Sequence, residues 1–138
     1  MTVLTRVGSP RPPLAQLVRF GVVGASNTVI ALAAYAALGA VGTPAALAAL
    51  AGWALGALNG YRLNRGWTFH SAVSGTGPAA RYVVVQGVAA GVDALAVALV
   101  VGHEHVARIA GQVAILPVVT LATFLICRRW VFSAGARA

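Results

Sequence analysis

The chain has 138 residues, of which 59% are hydrophobic and only 9% charged. Soluble domains run roughly 45–50% apolar and about 25% charged, and a fold of this length has too little interior to hide the excess, so a water-soluble architecture is excluded. The net charge of +8 comes from ten Arg against Asp93 and Glu104; the arginines flank apolar runs, which points to anionic lipid and membrane orientation and not to nucleic acid.

Residues 1–18 read as a polar tail carrying Arg6 and Arg11. Four apolar runs follow, at 20–41, 45–61, 82–102 and 109–127. Each lies within the roughly 17–25 residues that cross a bilayer as helix, the second narrowly. Thr43 before Pro44 predicts an N-cap and first-position proline for the second run. The segment from Arg65 to Arg81, rich in Ser, Gly and Thr, predicts one flexible loop that divides the chain into halves. Residues 133–138 are a second tail. The expected architecture is an all-α integral membrane four-helix bundle in a single domain. Nine of the ten Arg fall on one side of it, with only Arg108 on the other. The positive-inside rule then sets both termini in the cytoplasm, in the plasma (inner) membrane.

No cofactor is expected. Cys127 is the only cysteine, and His103, Glu104 and His105 read as a polar loop tip in place of a metal site, which needs three or four converging ligands. No enzyme is expected either. Ser26 has no His base at its depth, His70 lacks an acid, Asp93 and Glu104 form no carboxylate pair, and no phosphate-cradling glycine loop is present.

The polar residues inside the spans are the candidates for function. Asp93 lies near the middle of the third run, where a carboxyl is expensive and marks a site by default. Gln86 stands seven residues before it on the same helix face. Asn27, Asn59 and Gln112 occupy the other three runs. Together these five make either a polar path across the membrane or the hydrogen-bonding glue of a bundle. Arg19, Arg62, Arg65, Arg81, Arg128 and Arg129 form a cytoplasmic rim. Guanidinium forks suit phosphate oxygens, and the same rim serves as an orientation signal. Trp67 and Trp130 fall at inner span ends, where aromatic belts form, and Trp53 reads as core or lipid-facing. Gly52, Gly56 and Gly60, and again Gly87 and Gly91, predict close helix approach within the bundle or between copies. Pro117 predicts a kink in the fourth span.

The halves repeat. Arg19-Phe20 is echoed by Arg81-Tyr82, and Arg65-Gly66-Trp67-Thr68-Phe69 by Arg128-Arg129-Trp130-Val131-Phe132, at offsets of 62 and 63 residues. Each half goes in, out and back, giving two parallel-repeat helical hairpins about an axis along the membrane normal, an arrangement that tends to place a site between the repeats.

"RFGVVGASNTVIAL", "LNGYRLNRGWTF" and "FLICRRWVF" resemble the GtrA-like family over about residues 15–132. The resemblance implies four-helix membrane proteins of polysaccharide and cell-envelope synthesis. Their cargo would be a polyprenyl-phosphate-linked sugar, flipped across the membrane or handed to a glycosyltransferase partner. It singles out Asn64 and, before each Trp, Arg65 and Arg129. It also marks two departures: Ala31 stands where the family has Asp, with Asp93 in the matching place of the second half, and Cys127 stands where Asn is usual. A flippase, working as a homodimer or with a partner enzyme, leads the expectations. A non-transporting accessory to the glycosyltransferase comes second, and a small proton-coupled multidrug exporter third, since a basic rim repels cationic cargo.

Overall fold

The computed structural model describes residues 12–73, 75–100 and 105–133; the side chains of residues 97, 98, 100 and 105–113 lie outside that description. Four helices follow in order: α1 (Pro13–Ala40), α2 (Ala45–Leu63), α3 (Thr76–Val100) and α4 (His105–Ile126). A π-helical turn continues α2 through Asn64–Thr68, and a second continues α4 through Cys127–Val131. The fold is the expected all-α membrane bundle. The expected roles of Arg6, Arg11, Arg137 and the His103–Glu104 loop fall outside the described residues.

α1 starts at Pro13, where a missing N–H leaves no partner unsatisfied. It ends in a Schellman turn: Gly42 takes φ +82°, its N–H donates to the Gly39 carbonyl, and the Thr43 N–H donates to the Leu38 carbonyl. That closure corrects the expected cap. Thr43 belongs to the end of α1, and Pro44 takes the N-cap place of α2 with its carbonyl accepting from the Ala48 N–H.

α1 and α2 pack closely as an antiparallel hairpin, and α3 and α4 form the second, looser one. The difference is in the glycines. Gly52 faces the Ala31 carbonyl, Gly56 the Asn27 carbonyl, and Gly60 the Asn27 amide and Tyr82 hydroxyl, so no Cβ fits at Gly52 or Gly60 without displacement. The positions 63 residues on from these glycines are Ile115, Val119 and Thr123, which carry side chains where α2 has none. Gly87 and Gly91 have open space around them.

α1, α3 and α4 are long and apolar enough to cross a membrane by themselves, over Pro13–Ala40, Thr76–Ala96 and Ala114–Val131. α2, with its buried glycine face, Asn59 and Arg62, is not among these three. Among the described residues it is the helix with the most buried positions, packed along α1; the expected second span at 45–61 is thus not apolar enough to stand as an independent membrane rod. Val29, Leu47, Leu50, Leu95 and Val118 point outward and exposed, as a lipid-facing surface requires.

The hairpins meet along α2–α3 and α1–α4, while the diagonal pairs stay apart among the described residues. Their main join is a six-ring aromatic cluster at the end where both π turns lie. Phe69 stacks on Phe132 at 5.0 Å. Around that pair the contacts come in matched couples: Phe20–Phe69 at 6.1 Å with Tyr82–Phe132 at 6.0 Å, Phe20–Phe124 at 5.7 Å with Tyr61–Tyr82 at 5.8 Å, and Phe69–Phe124 at 5.8 Å with Tyr61–Phe132 at 6.0 Å. Exchanging Phe20 with Tyr82, Tyr61 with Phe124 and Phe69 with Phe132 maps the cluster onto itself. The parallel repeat is therefore a true pseudo-two-fold relation in space.

The connection between the halves is shorter and tighter than a flexible loop. It runs only from Phe69 to Gly75, because the first π turn and an early start of α3 absorb the rest. Ser71 holds it: its hydroxyl donates to the Phe132 carbonyl at 3.0 Å, and its N–H donates to the Arg65 carbonyl. His70 and Gly75 take positive φ at its ends. α4 continues through Pro117.

Candidate functional site

Each π turn re-aims the chain at the end of its hairpin. A single extra residue in the turn is bonded by the Phe69 N–H to the Asn64 carbonyl and by the Phe132 N–H to the Cys127 carbonyl. Such bulges are rare in helices and concentrate at functional sites. Here each turns a Trp outward and drives the Phe two residues later into the core. Arg19 then lies over the Trp67 ring at 5.0 Å and donates to the Trp67 carbonyl at 3.0 Å. Its repeat mate Arg81 lies over the Trp130 ring at 5.5 Å. A cation held over an aromatic face keeps its outer N–H groups free for an anion. Arg65 and Arg128 occupy matching half-buried places, and Arg62 and Arg129 are exposed. The repeat register thus pairs Arg65 with Arg128; Arg129 matches Gly66, which corrects the coupling of Arg65 with Arg129.

Below this rim lies a cleft of about 570 Å³ between the hairpins. It follows the pseudo-two-fold axis. Gly24 and Gln86, Asn27 and Ala89, Ala31 and Asp93 line it as couples 62 residues apart; Trp53 and Leu116, Gly56 and Val119, Ala57 and Thr120 line it as couples 63 apart. The scaffold is symmetric and its chemistry is not. Of the predicted residues, Asn27, Asn64, Gln86 and Asp93 come together on its wall. Asn59 supports them, its Nδ2 donating to the side-chain Oδ1 of Asn27 at 2.9 Å and to the Ser26 hydroxyl at 3.2 Å. The Gln112 side chain lies outside the described residues.

Tyr82 organises the upper wall. Fully buried, its hydroxyl accepts from Gln86 Nε2 at 2.6 Å and from Asn64 Nδ2 at 3.2 Å, while Thr68 donates to Asn64 Oδ1 at 2.9 Å. The matching positions of the other half are Phe20, Gly24, Cys127 and Val131, an apolar set. Cys127 stands in place of Asn in this apolar set, buried in the same core cluster as Tyr82. Sequence reasoning passed over Tyr82, Thr68 and Trp53. The signal for the first two was the repeat itself, which differs at those couples by a hydroxyl against an apolar side chain. Tyr82→Phe strands two amide donors and is expected to cost about 1–3 kcal/mol, read as a lower melting temperature of the detergent-solubilised protein. An unchanged midpoint would mean the hydroxyl is structurally idle.

Among the described residues no His/Cys/Asp/Glu cluster capable of holding a metal occurs. No curated protein and no solved structure matches the chain. The rim, both π turns and the whole cleft fall within residues 19–132, which match the GtrA/DPMS transmembrane domain, and the chain belongs to that family.

Proposed function

We propose that this protein moves a polyprenyl-phosphate-linked sugar across the plasma (inner) membrane for cell-surface polysaccharide synthesis, with the π-turn end and both termini in the cytoplasm. Family membership supports a role in polyprenyl-phosphate-sugar chemistry of the cell envelope. The observation that carries the finer reading is the cleft itself. It begins beneath the arginine rim at Phe20 and Asn64 and reaches Asp93, with a volume inside the roughly 300–1,000 Å³ range of small-molecule sites. In this scheme Arg19, Arg62, Arg65, Arg81, Arg128 and Arg129 receive the lipid phosphate, the cleft shelters the sugar, and the prenyl tail stays in lipid. The protein forms and breaks no covalent bond.

An accessory role, recruiting a glycosyltransferase, is favoured by one feature. The small-residue face of Gly87 and Gly91 is unfilled by the described residues, open to a second copy or a partner enzyme. Export of cationic drugs fits poorly with a rim of arginines.

Reconstitution into sealed vesicles with a short-chain polyprenyl-phosphate glucose decides between these. Wild type is expected to flip the lipid, and Asp93→Asn and Arg65→Ala to slow it at least about tenfold, equivalent to roughly 1.4 kcal/mol. Folded wild type that flips no lipid-linked sugar would overturn translocation and leave the accessory role.

A further inference from the structure

We infer that Trp53, Gln86 and Asp93 form a seat for one uncharged sugar ring at the inner part of the cleft, with the phosphate held outside it at the rim. The inference deepens the proposed translocation and relies on that reading for the identity of the lipid.

Depth comes first. Gly52 lies against the Ala31 carbonyl, so its neighbour Trp53 sits at the level of Ala31. Asp93 is the repeat mate of Ala31 and, by the pseudo-two-fold relation, lies at the same level. Both line the cleft from different hairpins. The path from Gln86 to Asp93 covers seven residues of helix, about 10 Å at 1.5 Å per residue. That length accommodates a single ring.

Chemistry comes second. Trp53 lines the cavity and is 36% exposed, an indole able to offer an aromatic surface. The C–H face of a sugar ring packs on such a surface. Gln86 lines the cleft, and with its Nε2 donating to Tyr82 its Oε1 remains as an acceptor. Asp93 adds carboxyl oxygens. Acceptors on α3 beside an aromatic ring on the neighbouring α2 suit a ring that carries hydroxyl donors. Among the described residues the cleft wall has no Arg, Lys or His; the cations stay at the rim. In either protonation state Asp93 supplies no positive charge. An anionic group placed there would lose its hydration without a counter-ion. The cleft therefore takes a neutral sugar and rejects a uronic acid or the phosphate itself.

Asymmetry comes third. Leu116 and Ala31 occupy the places that mirror Trp53 and Asp93, so only one orientation of the ring meets both groups.

The test is binding to wild-type protein in nanodiscs, by calorimetry, of three short-chain prenyl lipids: phosphate alone, phosphate-glucose and phosphate-glucuronate. The glucose lipid is expected to bind best, and the glucuronate lipid more than about tenfold weaker. Trp53→Leu, which copies its repeat mate Leu116, is expected to remove about tenfold from glucose-lipid binding and little from phosphate alone. Trp53→Phe, keeping an aromatic face, is expected to recover most of it. Equal binding of all three lipids by wild type, or a Trp53→Leu effect as large on phosphate alone as on the glucose lipid, would overturn the seat. Sugar-selective binding without flipping would leave the seat standing and sink translocation. Flipping with no preference between glucose and glucuronate lipids would sink the seat alone.

Discussion

Phe132→Ala is expected to destabilise the bundle by about 4 kcal/mol, the largest effect of any single truncation among the described residues. Phe132 is buried and touches Phe69, Tyr61 and Tyr82, so it joins the end of the second hairpin both to the end of the first and to the start of its own α3. In a membrane the transfer term shrinks, because lipid is as apolar as the core. The void remains: removing a phenyl ring opens on the order of 100 Å³ at about 24 cal/mol per Å³. The lost ring contacts add roughly 0.5–1.5 kcal/mol per pair. Denaturant titration in detergent micelles checks it. Phe69→Ala, its repeat mate, should behave alike, and the exposed Val118→Ala should change little. Equal small losses for Phe132 and Val118 would mean that the hairpins are held together elsewhere than at the ring cluster.

The ring cluster also shows where sequence reading succeeds and where it stops. The helices were legible because apolar runs of bilayer length have few other uses. The pseudo-two-fold was legible because Arg19-Phe20 and Arg81-Tyr82, and the two Trp-x-Phe endings, recur at nearly one offset. Asn27, Gln86 and Asp93 were legible because polar groups in hydrocarbon are costly. The π turns were not. A five-residue turn carries no propensity signal, so the stretch from Arg65 read as loop although Asn64–Thr68 is helix with one residue too many. Composition also misled at Ser71: a serine in a Ser-, Gly- and Thr-rich segment reads as flexible, yet its hydroxyl ties the connection to the Phe132 carbonyl. Trp53 was hidden for a third reason. An aromatic inside a span looks the same whether it faces lipid, core or cleft, and only the register set by Gly52 against Ala31 distinguishes them.

That register leads to the second large effect. Gly52→Ala is expected to cost about 1–3 kcal/mol, the range for overpacking a tight contact. A Cβ at Gly52 would stand 2.5 Å from the Ala31 carbonyl oxygen, and that neighbour is backbone, so α1 and α2 must separate. At Gly60 the new methyl would meet the Tyr82 hydroxyl and the Asn27 amide, side chains able to turn aside. Gly60→Ala should therefore lose less stability than Gly52→Ala while disturbing the wall that presents Gln86 to the cleft. Sugar-lipid binding should fall more than its melting temperature predicts. Gly87→Ala and Gly91→Ala meet open space, and replacing a helical glycine by alanine favours the helix by up to about 1 kcal/mol. In detergent these two should melt no lower than wild type. A loss at Gly87 or Gly91 as large as at Gly52 would mean that α3 is already packed against something in the purified protein. With no other polypeptide present, that would be a second copy of the chain, and the same variants should then run as monomers where wild type runs as a dimer.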